Sequence, residues 1–183
     1  MCTLEEVTKL FRECSGKLKR YAQHYLGDIH ASEDAVQQAF LRLMQHIRID
    51  LKKRQPIVNP PAWLFRTLRN ICIDSLRSKV TQSTQFSERD AEDTDFLQFS
   101  IFASPLTLAE KADESQMLRI AIEQELTTRE REIISLSLEE HKSYAEIAEI
   151  VGITRDNVGT LLFRAFRKLR KFIHTGAEGM VKK

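Results

Sequence analysis

Apolar residues recur along this chain at intervals of three and four, and strand-like alternation is absent, so the pattern predicts an all-α protein. Glycine and proline are few, six and four, which leaves long stretches without a breaker. Val7, Leu10, Phe11, Leu18, Tyr21, Ala22 and Tyr25 make one face of a first helix running from about Leu4 to Leu26, with Gly27 to end it. Ser32 is the expected cap of a second helix that reaches about Ile47, with Glu33 and Asp34 in its first turn; Val36, Ala39, Phe40, Leu43 and Ile47 form its stripe. After a loop from Asp50 to Asn59, Pro61 suits the first turn of a third helix that continues to about Lys79. A further helix is expected from Leu106 to Leu126, followed by a capping box of Thr127 with Glu130.

The most specific pattern lies between Ser143 and Leu169. Ser143 with Glu146 is a second capping box, and Ala145, Ile147, Ala148 and Val151 supply a short apolar stripe. Gly152 stands where a left-handed residue ends the helix, Ile153 can plug the angle, and Thr154 caps the next helix. That helix begins at about Arg155 and buries Val158, Leu162, Ala165 and Leu169. The order of cap, stripe, Gly, plug and cap predicts a helix-turn-helix. Asp156, Gly159, Thr160, Phe163, Arg164 and Arg167 lie on the opposite face of its second helix. Residues near the start of such a helix reach base edges in a major groove, and basic residues further along meet phosphates, so Arg155, Asn157 and Thr160 are the base-reading candidates.

Charge sharpens the division of the chain. Net charge is only +2 over 183 residues, yet it is about +6 over residues 1–80, −6 over 81–115 and +2 over the remainder. The segment from Val80 to Ser104 is polar and acidic with isolated aromatics, which is linker composition. The expected organisation is a domain over 1–80, a flexible acidic linker over 81–105, a second small helical domain over 106–175 and a loose tail over 176–183. Cys2, Cys14 and Cys72 are odd in number and lack metal or redox spacing, so neither a disulfide framework nor a zinc site is expected. The N-terminus has no basic and apolar leader, and no run approaches the ~18 apolar residues of a membrane span, so a cytoplasmic protein without membrane insertion is expected. No paired nucleophile and base, Gly-rich phosphate loop or ligand cluster points to an enzyme, a metal or a cofactor. Stacking-aromatic motifs of RNA-binding modules are missing as well.

Two further faces carry chemistry. In the third helix Leu64, Leu68, Ile71, Cys72, Ser75 and Leu76 fall on one side, while Arg66, Arg69, Asn70 and Arg77 form a cationic stripe on the other, flanked by Asp74. Guanidinium groups beside an amide suit phosphate contacts with a base-edge contact. Asp74 is expected to orient an arginine or to accept from a base amine, and Trp63, at the stripe's edge, belongs more naturally in the core. In the second helix Asp34, Gln37, Gln38, Leu41 and Gln45 point away from the buried stripe, and an outward leucine among amides suggests a protein partner.

SEDAVQQAFLRLMQ, PPAWLFRTLRNICIDSLR, LTTREREIISLSL and SYAEIAEIVGITRDNVGTLLFRAFRKLR, in that order and spacing, resemble an extracytoplasmic-function (group IV) sigma factor of the sigma-70 family over essentially the whole chain. The resemblance implies that Asp34, Gln37, Gln38 and Leu41 meet the clamp helices of core RNA polymerase. It implies that Arg66, Arg69, Asn70, Asp74 and Arg77 recognise and melt the minus-ten region of promoter DNA, with the Asp50 to Asn59 loop near an unstacked base. It implies that Arg155, Asp156, Asn157, Gly159, Thr160, Phe163, Arg164 and Arg167 recognise the minus-thirty-five element, and that an anti-sigma factor exists. A linker of about 25 residues at ~3.3 Å each spans ~80 Å, enough for contacts two DNA turns, ~70 Å, apart. The other reading of the same residues is a stand-alone helix-turn-helix transcriptional regulator.

Overall fold

The computed structural model describes residues 4–48, 57–83 and 112–180, all of them helices and short connections. Seven helices occur among them: α1 Leu4–Leu26, α2 Ile29–Arg48, α3 Pro60–Ser83, α4 Ala112–Glu125, α5 Thr128–Leu138, α6 Tyr144–Val151 and α7 Arg155–Met180. They divide into two compact units, one of α1, α2 and α3, the other built on α4, α5 and α7 with α6 leading into α7.

In the first unit each helix packs on the other two. Leu18, Tyr21, Leu43, Leu64, Phe65 and Leu68 are fully buried, and removing each such side chain from water contributes about 1.5–3 kcal/mol. Aromatic edges tie the elements together: Phe11 meets Phe40 at 5.0 Å, Tyr21 meets Phe65 at 5.3 Å, and Trp63 meets His46 at 5.7 Å between ring centroids. Trp63 thus packs against α2 as expected, half-buried rather than enclosed. Phe11 is half-exposed despite its place in the α1 stripe. Gly27 ends α1 with φ +67, and its N–H donates to the Gln23 carbonyl.

The start of α2 differs from expectation. Asp28 caps it, its Oδ1 accepting from the Ala31 N–H at 2.7 Å. Ser32 is buried inside the helix, its hydroxyl donating back to the Asp28 carbonyl at 2.6 Å. Two capping residues stand four apart, and the earlier one wins because it lets Ser32, Ala35 and Val36 all turn inward. Glu33 consequently lies in the second turn and pairs with Lys19 of α1 at 2.5 Å. That lysine holds the Glu33 carboxyl below its ordinary value, first by hydrogen bonding and then by charge. At α3 the cap is Asn59, accepting from the Ala62 N–H, with Pro60 and Pro61 in the first turn.

In the second unit the Thr127–Glu130 capping box is present in both directions. Lys168 of α7 reaches the same Glu130 carboxylate at 2.8 Å, so the start of α5 is also an anchor for α7. Helix α7 runs to Met180 rather than giving way to a loose tail at 176. No proline stops it, and Ala177, Glu178 and Met180 favour the helix against the unfavourable Gly176 and Gly179. The expected linker from 84 onward, the helical stretch over 106–111 and the last three residues lie outside the described residues.

Candidate nucleic-acid interface

The helix-turn-helix forms as its residue types dictate. Ser143 accepts from the Glu146 N–H while the Glu146 carboxylate accepts from the Ser143 N–H at 2.9 Å, which satisfies donors at the open start of α6. Gly152 adopts φ 77, ψ 39, and both its N–H and that of Ile153 donate to the Ala148 carbonyl. Thr154 then accepts from the Asn157 N–H at 3.3 Å, starting α7. Val158, Leu162, Ala165 and Leu169 are buried along one side of α7.

The opposite side carries the predicted set. Arg155, Asp156, Asn157, Thr160, Phe163, Arg164 and Arg167 are exposed, and Gly159 is half-buried. Arg155, Asp156, Gly159, Thr160 and Phe163 line one shallow cleft together with Tyr144 of α6. Asn157 and Arg164 do not line it; at about 100° per residue they share a neighbouring stripe of the helix. The Thr160 hydroxyl donates to the Asp156 carbonyl at 3.0 Å, so its donor is used within the helix. Asp156 sits in the first turn, where a negative charge is favourable. Tyr144 was not among the predicted residues. Its position next to the Ser143 cap marks it as the first side chain of α6, but only the turn through Gly152 brings it beside α7.

In the first unit Arg66, Asn70, Asp74 and Arg77 are exposed along α3. Arg69 is not: it is buried, at 9% exposure, and has interactions within the protein. The cationic stripe is therefore narrower than the periodicity implies, because Arg69 falls at its margin, where Ile73 is also buried. Asp34, Gln37, Gln38 and Leu41 are all exposed on α2, Leu41 at 51%. Asp34 and Gln38 share a groove with Asp74 of α3 and with Arg42, which sequence reading passed over. Arg42 lies one turn beyond Gln38 and lines the same groove as Asp74. The groove makes the α2 face and the end of the α3 face one continuous surface. Of the loop between them only residues 57–59 are described, and Val58 there is almost fully exposed.

Comparison with known proteins assigns both units. Residues 10–81 match the family model Sigma-70 region 2, and residues 122–169 match Sigma-70, region 4. Over 165 residues the chain is 31% identical to the ECF RNA polymerase sigma factor SigL of Mycobacterium tuberculosis, an alignment covering 88% of this chain and 85% of the relative. The chain belongs to the ECF sigma factors of the sigma-70 family. It is also 26% identical over 175 residues to the ECF RNA polymerase sigma factor SigM of Bacillus subtilis, covering 95% of this chain and 97% of that one. Among solved structures, the sigma factor RpoE of Bartonella quintana, crystallised with the anti-sigma factor NepR, has the same fold: TM-score 0.64 at 19% identity, covering 93% of this chain and 98% of that one.

This ECF sigma factor is thus a DNA-binding initiation factor that works with core RNA polymerase at promoters. The region 2 match accounts for the first unit as a sigma-factor domain, where a stand-alone regulator would use it for dimerisation or sensing, so that reading is not favoured. Among the described residues no helix is long and apolar enough to cross a membrane.

Proposed function

We propose that the three exposed faces divide the work of initiation. The α2 face of Asp34, Gln37, Gln38 and Leu41 binds the clamp helices of core polymerase. On α3, Arg66, Asn70, Asp74 and Arg77 line the upstream edge of the melting bubble at the minus-ten region, while Arg69 supports that face from beneath. The α7 side bearing Arg155, Asp156, Asn157, Gly159, Thr160, Phe163, Arg164 and Arg167 enters the major groove of the minus-thirty-five element. Domains over 1–80 and 106–175, joined by the acidic 81–105 linker, fit this division. The factor belongs with group IV, acts in the cytoplasm, performs no covalent chemistry and is held in check by an anti-sigma factor that covers one of these faces.

The observation that carries the reading is a capped helix-turn-helix with its α7 side open, in the same chain as a region 2 unit whose α2 and α3 faces are also open. Arginines on both DNA faces neutralise phosphates, so promoter affinity falls steeply with salt. Run-off transcription tests it: purified protein added to core polymerase free of other sigma factors directs initiation from specific promoters. Tight DNA binding by the protein alone, with core polymerase left inert, overturns it.

A further inference from the structure

The cleft beside α7 brings two aromatic residues into an otherwise polar face. Tyr144 and Phe163, 45% and 67% exposed, line the cleft together with Gly159, Arg155, Asp156 and Thr160. A Cβ added to Gly159 would meet Tyr144 Cε2 at 3.7 Å, an ordinary contact. Packing of α6 on α7 therefore does not demand glycine here, although glycine inside a helix is unfavourable relative to alanine. What glycine does provide is an open floor beside the Tyr144 ring. Thr160 turns its hydroxyl back onto the Asp156 carbonyl and so leaves its methyl available to the cleft wall.

Such a recess offers no net positive charge to a phosphate, because its two charged lining residues, Arg155 and Asp156, have opposite signs and two aromatic side chains complete the wall. It suits a small apolar group, and the group of that kind in a major groove is the C5-methyl of thymine. We propose that Tyr144, Gly159 and Phe163 form a receptor for one thymine methyl of the upstream promoter element, with Tyr144 as a specificity-determining residue contributed by α6. The proposal rests on the reading that α7 enters the major groove of that element.

The test uses holoenzyme and a promoter fragment whose upstream element has been selected by that holoenzyme from random sequence. Each thymine of the element, on either strand, is replaced in turn by deoxyuridine, which removes only the methyl. One replacement should weaken binding about fourfold, the worth of one buried methyl-sized group. That sensitivity should disappear in Tyr144→Ala and in Phe163→Ala, and should shrink in Gly159→Ala, whose added methyl occupies the floor without disturbing the fold. Circular dichroism of the variants confirms that they fold. Indifference of the wild type to every replacement, or a Tyr144→Ala variant that weakens all sequences equally and keeps the deoxyuridine effect, overturns the methyl receptor. If the selection recovers no preferred upstream sequence, the reading of α7 itself fails.

Discussion

Glu130 holds two parts of the second unit with one carboxylate, and its removal should show in both. The group is buried, at 4% exposure, and accepts from the Thr127 N–H at 2.9 Å and from Lys168 at 2.8 Å. In Glu130→Ala the Thr127 hydroxyl still caps α5, but the returning bond is lost, at a cost of about 1 kcal/mol. Lys168 is partly exposed and can turn to water, so its lost pairing adds at most about 1 kcal/mol. Together these predict about 2 kcal/mol, roughly a thirtyfold rise in the locally open population. The partners are unequal, because Glu130 is the buried one. Lys168→Met leaves a carboxylate without its counter-charge, whereas Glu130→Gln keeps an oxygen for the Thr127 N–H and removes the charge. The double variant Glu130→Gln with Lys168→Met should therefore be more stable than Lys168→Met alone. Backbone hydrogen exchange across α5 and α7 of the full chain is the suitable assay, since the single tryptophan, Trp63, reports the other unit. Equal protection in Lys168→Met and the double variant would refute the asymmetry, and unchanged α7 exchange in Glu130→Ala would refute the anchor.

Neighbouring residues on α3 should behave differently. Asn70→Ala impairs open-complex formation, read by permanganate reactivity, and leaves the urea midpoint from Trp63 fluorescence unchanged; Arg69→Ala lowers that midpoint by the equivalent of about 2 kcal/mol, through lost packing of its stem and lost internal partners. At the turn of the helix-turn-helix, Gly152→Ala places a side chain at φ 77, which should cost about 1–2 kcal/mol in thermal stability and weaken upstream DNA binding. Glu33 titrates below its ordinary 4.5 when folded, so its pairing with Lys19 stabilises fully above that pH and is lost as pH falls through the lower folded value. Lys19→Met should therefore be less stable than wild type at pH 7, and the gap should close on acidification below 4.5; a constant gap in urea titrations across pH would contradict this.

Local chemistry in the sequence was enough for much of the site. Caps and C-terminal glycines act through bonds within a few residues, which is why Ser143 with Glu146, Gly152, Thr154 and Thr127 with Glu130 all stand where their spacing places them. Helical periodicity likewise placed the buried stripe of α7 and the open face of α2. It fails at margins. A period of about 100° per residue says which way Arg69 leaves α3, but not how far neighbouring elements wrap around that side, so its burial was not legible. Competition between valid local signals is also settled by packing, as the choice of Asp28 over Ser32 shows. Long-range proximities lie beyond the sequence altogether: Lys168 paired with Glu130, Asp74 in one groove with Asp34 and Arg42, and Tyr144 beside Gly159. The sequence by itself determined where most helices lie and which side of α7 stays open. Only the tertiary structure decided which side chains meet across that side, because such meetings depend on the angles at which helices pack, and no local rule encodes them.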